Sequence, residues 1–265
     1  MSLFLKIGMN RFRIIVPVYN AEEYIDKCLL SIMEQDYKNY DVTVIDDCST
    51  DRTIEIAQKY PVRIHRNEFR SWSGLTGMIP VIKEFDPQDI VVEVDGDDPG
   101  LADVSVLSYL NEIYQKDIWL TYGQFRPLSG RYKGFCCPLG LIDAAANFER
   151  EEVYVTTYSY RPSGVWVTSH LRTWKQWLWS KINEDDFKDT DGNLFVTCSD
   201  CASMYPMIEM AGSDHIKFID KILYVYNDLN PCRDKDILEK VQKDFTFLTN
   251  KPIYNKIDAS ISSDI

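Results

Sequence analysis

Histidine is scarce in this chain, with three among 265 residues, and other shortages narrow what the protein can be. No apolar run approaches the roughly 20 residues that span a bilayer. The opening residues 1–8 are too short for a secretory signal, so a soluble, cytoplasmic protein without a transmembrane segment is expected. Positive charge is in deficit: 29 Lys and Arg against 41 Asp and Glu leave a formal net charge of −12. That balance excludes a broad nucleic-acid-binding surface, whose affinity depends on cations neutralising phosphates. A single nucleotide remains compatible with it, because a local site can be cationic or metal-filled. An even disulfide framework is also missing. The seven cysteines, at 28, 48, 136, 137, 198, 201 and 232, read as reduced thiols. Cys136 and Cys137 with Cys198 and Cys201 form an alternative four-thiolate zinc set, against which adjacent cysteines weigh as a poor tetrahedral pair.

What is present fits one large domain with a substantial core, at 45% hydrophobic residues. The apolar run within 11–20 is short, rich in β-branched residues and stopped by polar ones, as suits a strand buried on both faces. Asn20 with Glu23 resembles a capping box for the helix that follows, which turns Ile25, Cys28, Leu29 and Ile32 to one face. A second strand over 41–45 ends in Asp46 and Asp47, with Ser49, Thr50 or Asp51 placed to cap a helix reaching about Tyr60. Residues 62–66 read as a third strand. Strand and helix alternating this way predict right-handed parallel crossovers in an α/β sheet with helices on both faces.

The run 89–94 is strand-like and ends in Asp95, Gly96, Asp97 and Asp98. Crowded carboxylates at the end of an apolar strand call for a cation, most simply a divalent metal, or else form a solvated turn. Ligands of such sheets bind beyond the carboxyl ends of the strands, which gathers 17–20, 46–49 and 95–98 at one crevice. These segments, 14–20, 44–51 and 94–98, closely resemble family 2 glycosyltransferases, nucleotide-sugar-dependent enzymes of the GT-A fold. Weaker similarity runs on to about residue 230.

The resemblance implies a mostly parallel, Rossmann-like GT-A domain over 1–230. A nucleotide-sugar-binding half would cover about 11–100 and an acceptor half about 101–230, with 231–265 a C-terminal helix and tail. It further implies that Pro17 and Tyr19 line the base pocket and that Asp46 or Asp47 accepts a hydrogen bond from uracil or ribose. Asp95 and Asp97 would be the D-x-D pair on Mg²⁺ or Mn²⁺, with Asp97 directly on the metal, Asp95 nearer the ribose, and Asp98 orienting its neighbours. The donor would be a UDP-sugar, and the acceptor a glycan, a lipid-linked molecule or a protein. The glycine- and Asn/Arg-containing stretch usual before the D-x-D strand is replaced by 67–77, where Arg70 is the candidate phosphate or base contact.

After Pro99 a helix over 102–115 is expected with Val104, Leu107, Leu110 and Tyr114 inward, then a strand over 118–124 and a loop-rich stretch over 125–150. Residues 160–181 are dense in tryptophan, with Leu171, Trp174 and Leu178 spaced for one helical face. Trp166 with His170 or Arg172 could border a sugar, and His170 is a further candidate for the metal. Residues 189–193 resemble the opening of a calcium loop, but the glycine is misplaced, and a solvated loop reads better. Asp200 matches the second residue of the family's Glu-Asp pair, with Ser199 in place of the glutamate. It is the general-base candidate, or alternatively a helix N-cap. Residues 236–248 fit a short helix, and the tail from about 253 is polar and expected mobile. The expected activity is metal-assisted hexosyl transfer with inversion. A nucleotide-sugar-binding module that has lost catalysis is the alternative.

Overall fold

The computed structural model describes residues 8–143, 152–154, 160–229 and 235–258. Cys232 and residues 144–150 of the stretch expected to be loop-rich lie outside them. The first half of the chain runs β1 (Phe12–Val18), α1 (Ile25–Met33), β2 (Tyr40–Asp46), α2 (Thr53–Ala57), β3 (Arg63–Arg66), α3 (Leu75–Lys83) and β4 (Ile90–Glu93). It continues through β5 (Gly100–Leu101), α4 (Val106–Ile113), β6 (Leu120–Pro127), β7 (Leu141–Asp143), β8 (Glu152–Tyr154) and α5 (Tyr160–Ser163). The closing elements are β9 (Arg172–Lys175), α6 (Gln176–Trp179), α7 (Ser199–Ala211), β10 (Ile216–Tyr226) and α8 (Lys235–Thr249).

Eight strands form one mixed sheet in the order β3-β2-β1-β4-β9-β6-β10-β5. The first four are mutually parallel, as the strand and helix alternation predicts. β9 then enters antiparallel to both β4 and β6. Strand periodicity divides the core in two. Phe12, Ile14 and Val16 of β1, Val42 and Val44 of β2, and Ile90 and Val92 of β4 pack beneath α1 and α4. Their alternates Ile15, Ile45 and Val91 pack against α3, α6 and α7. Side chains of a strand point alternately to opposite faces, so both faces of the sheet need an apolar layer and a helical cover. β1 lies between β2 and β4, with α1 on one face and α3 on the other. The crossovers therefore diverge at the carboxyl end of β1, opening a crevice there.

Several local expectations are corrected. Asn20 does not cap α1, whose N-cap is Tyr24. Its side chain instead accepts from Thr50 N at 2.8 Å, tying the loop after β1 to the loop after β2. Val104 is 51% exposed because α4 begins two residues later. Leu171, Trp174 and Leu178 share no helix: Trp174 lies in β9 and Leu178 in α6. All three are buried, and full burial erases the polar positions that distinguish the two periods. The tail is held through residue 258, with Ile257 N on the Met210 carbonyl at 2.8 Å. Among the described residues no helix is long and apolar enough to cross a membrane.

Beneath that tail Arg161 and Glu209, each 1% exposed, are paired by two hydrogen bonds of 2.7 and 2.6 Å. Tyr254 N donates to the same carboxylate at 3.0 Å. Removing one partner strands a buried charge, so Glu209→Ala should cost about 3–5 kcal/mol in equilibrium urea unfolding. A loss under about 1 kcal/mol would show that the pair is not anchoring the tail.

Candidate active site

The crevice at the carboxyl ends of β1, β2 and β4 widens into a cleft of about 1030 Å³. Pro17, Tyr19, Asp47, Asp95, Asp97 and Asp200 all line it. Asp46 and Arg70 do not, and stand close behind. Asp46 is fully buried, accepts from Ser49 N at 2.9 Å and has Arg66 Nε at 3.4 Å. Arg70 places its guanidinium between two aromatic rings, 3.6 Å from the Tyr19 centroid and 3.2 Å from that of Trp72.

Asp47 organises the loop between β3 and α3. One oxygen accepts from Asn67 Nδ2, Ser71 N and Ser71 Oγ at 2.8–2.9 Å, and the other from Trp72 N at 2.9 Å. Burial pushes the carboxyl up, but the hydrogen bonds from Ser71, Asn67 and Trp72 outweigh it and hold it below the usual range. Trp72 itself has φ 64 and is 60% exposed.

The acid turn is set from below by β10. Tyr224 Oη accepts from Asp95 N at 3.0 Å and donates to Asp98 Oδ2 at 2.7 Å. Asn227 N donates to the other Asp98 oxygen at 2.7 Å, and Asn227 Nδ2 to the Asp97 carbonyl at 2.9 Å. A Cβ on Gly96 would lie 2.8 Å from Val18 Cβ, so glycine lets the turn pack under β1. Burial, then the charge of Asp95, pushes Asp98 up to about 8. His170 lies over Tyr224, ring centroids 4.7 Å apart and 11° from parallel, with Nδ1 3.9 Å from Asp95 Oδ2. Burial, reinforced by Arg172, holds the imidazole neutral. Among the described residues, Asp95, Asp98 and His170 are the group able to converge on one metal ion, with ligand atoms within 4.8 Å of one another. Asp97 is exposed beside them. Cys136, Cys137, Cys198 and Cys201 form no such group, which disposes of the zinc alternative.

Asp200 lies in the first turn of α7, whose N-cap is Cys198. The N-cap alternative for Asp200 is thereby replaced. Its Oδ1 accepts from Cys201 N at 2.8 Å and its Oδ2 from Arg172 Nη1 at 3.3 Å. Arg172, 3% exposed, also binds Glu93 through Nε at 3.2 Å and Nη2 at 3.1 Å. One guanidinium thus ties the end of β4 to the start of α7. Burial pushes Glu93 upward against the pull of Arg172. Sequence reasoning missed Glu93, although its signal was legible: a carboxylate inside the apolar run 90–94 must find a cation. It also missed Tyr224 and Asn227, and the cleft-lining Val241 and Phe245 of α8. The calcium-like loop is tied to α8 as well, Lys240 Nζ lying 3.2 Å from Asp189 Oδ2.

Residues 13–98 match the model of glycosyl transferase family 2. Over 54 residues the chain is 48% identical to the poly(ribitol-phosphate) β-N-acetylglucosaminyltransferase TarS of Staphylococcus aureus, 20% of this chain and 9% of that protein. The match thus spans less than a tenth of that protein's length. The fold likeness is wider. The S. aureus TarS 1–349 structure in complex with UDP-GlcNAc superposes with a TM-score of 0.60 at 20% identity, covering 92% of this chain and 68% of that one. Glucosyl-3-phosphoglycerate synthase of Mycobacterium tuberculosis, solved with Mn²⁺, UDP and glucosyl-3-phosphoglycerate, gives 0.54 at 15% identity, covering 90% and 78%. The sheet is that of the GT-A glycosyltransferases.

Asp47→Ala should leave the amides of Ser71 and Trp72 without their acceptor, at about 0.5–1.5 kcal/mol per lost bond, since water reaches the Trp72 amide. Hydrogen exchange at these two amides should accelerate while that of β1 stays slow. Unchanged exchange at both would show that Asp47 does not hold the loop.

Proposed function

We propose that this chain, whose residues 13–98 match the glycosyl transferase family 2 model and whose fold is that of the GT-A glycosyltransferases, transfers a sugar from a UDP-sugar to an acceptor hydroxyl with inversion. The observation that carries the reading is that one cleft is lined both by Asp95 and Asp97, just after β4, and by Asp200, at the start of α7. Pro17 and Tyr19 take the base, and Asp47 shapes its pocket through the loop it holds. The nearby guanidinium of Arg70 adds positive charge on the diphosphate side.

The donor set fits a hard divalent cation. It offers the carboxylate oxygens of Asp95 and Asp98 and the neutral imidazole of His170, and Asp98, pushed up by burial and then by the charge of Asp95, would gain from a cation beside it. Asp97 and Asp95 would hold Mg²⁺ or Mn²⁺, with His170 in reach, while Asp98 fixes the turn through Tyr224 and Asn227. Bound there, the metal supplies charge neutralisation to the departing diphosphate. Asp200 accepts the proton of the acceptor hydroxyl as that oxygen attacks the anomeric carbon, and Arg172 keeps the carboxylate aimed into the cleft. A single displacement needs no covalent sugar–enzyme bond and inverts the anomeric centre. The solved relatives bound to UDP-GlcNAc and to UDP with Mn²⁺ support the choice of donor and cation. The acceptor is a hydroxyl of a glycan, a lipid-linked molecule or a protein.

UDP release from UDP-sugars in Mn²⁺ tests this reading. Asp97→Ala, or chelator added to the intact protein, should lower turnover at least about 100-fold. Full activity in chelator would overturn the metal assignment. Asp200→Asn should bind UDP as the parent does in calorimetry, yet lose transfer by about 10²–10⁴-fold. Unchanged transfer would remove Asp200 as the base.

A further inference from the structure

Cys198 and Cys201 have no part in the reaction above, yet both line the cleft, on either side of Asp200. Cys198 is the N-cap of α7 with φ 58, and its carbonyl accepts from Ala202 N at 3.0 Å, so the first helical turn closes over the pair. A three-residue step along such a turn sets the Cα atoms about 5 Å apart, inside the range a disulfide spans. The two thiols influence each other's acidity in opposite directions. Cys198 is half-buried and open to the cleft, whereas Cys201 is 4% exposed. The contact with Cys201 lowers the Cys198 thiol, against burial and the charge of Asp200. Burial pushes Cys201 up. An accessible, more acidic thiol at a helix N-terminus with a shielded partner three residues on is the arrangement of dithiols that exchange with disulfides.

We propose that Cys198 and Cys201 are a redox-active dithiol, converted to an intramolecular disulfide by a small-molecule disulfide of the glutathione class, and that this modification stops the reaction at Asp200. The Cys198 thiolate attacks one sulfur of the small disulfide and expels the other as a thiolate, leaving a mixed disulfide. Cys201 gives its proton to solvent and attacks the Cys198 sulfur, expelling the second small thiolate. Two protein thiols are oxidised to one disulfide, and one small disulfide is reduced to two thiols. The product changes what holds the turn. Cys198 Sγ now contacts the Val241 carbonyl of α8 at 3.8 Å, and Cys201 N holds Asp200 Oδ1. Pulling Cys198 onto Cys201 breaks the first contact and moves the backbone on which the second depends.

The dithiol chemistry stands apart from the transferase reading, and only its effect on turnover rests on it. Intact protein is incubated with glutathione disulfide, then alkylated, digested and weighed. The segment carrying both cysteines should lose the mass of two hydrogen atoms and escape alkylation, with dithiothreitol restoring both thiols. Cys201→Ser should instead retain one glutathione on Cys198, and Cys198→Ser should take up none at this site. UDP release should vanish on oxidation of the parent and return on reduction, while that of Cys198→Ser should ignore the oxidant. Both thiols remaining alkylatable, or a mixed disulfide persisting in the parent, would overturn the dithiol. A fully formed disulfide with undiminished turnover would overturn its control of the reaction.

Discussion

A buried guanidinium lets this acidic cleft exist. Glu93 at the end of β4 and Asp200 at the start of α7 would both raise the cost of folding if left facing Asp95 with no counter-charge. Arg172 pairs with both from between them. It arrives on β9, the strand that enters antiparallel and separates the parallel half of the sheet from β6 and β10. The mixed topology therefore has an electrostatic consequence, because it delivers a cation to the one place where carboxylates from the two halves of the chain meet. β10 performs the companion task, fixing Asp95, Asp97 and Asp98 through Tyr224 and Asn227.

The parts of this arrangement that could be read from the sequence are those set by local pattern. Apolar β-branched runs over 12–18 and 90–94 became β1 and β4, and the acids placed just beyond their ends, or beyond β2, came to one crevice as the crossover rule requires. Pairings between distant residues could not be read. Arg172 lies 79 residues from Glu93 and 28 from Asp200, and nothing in its neighbourhood distinguishes it from an arginine that grips an anion. The tryptophan-rich stretch was misread as one helix because Leu171, Trp174 and Leu178 are all buried, whichever element carries them. Adjacent Asp46 and Asp47 looked equivalent, but strand alternation sends one into the protein and leaves the other on the cleft. His170 gained its place from stacking on Tyr224 and Tyr226, a contact no local spacing encodes.

The family match ends at residue 98, while the fold likeness continues over nine-tenths of the chain. The part of the cleft within residues 13–98 is accordingly built from segments with recognisable order, and the rest from later elements held by their own contacts. Thr197 Oγ1 donates to Asp244 at 2.6 Å, and Val241 and Phe245 of α8 look into the cleft. The closing helix is thereby part of the cleft wall. It adjoins the turn that carries Cys198, Asp200 and Cys201, so a covalent change in that turn has a direct route to both Asp200 and the cleft wall.

The stereochemistry of the sugar product tests the central claim most directly, because it reports donor use and single displacement together. Proton NMR of the product first formed from an α-linked UDP-sugar, with Mn²⁺ and an acceptor alcohol, should show a β-anomer accumulating in step with UDP. An α-anomer, or UDP-sugar that persists untouched beside every acceptor offered, would contradict the account.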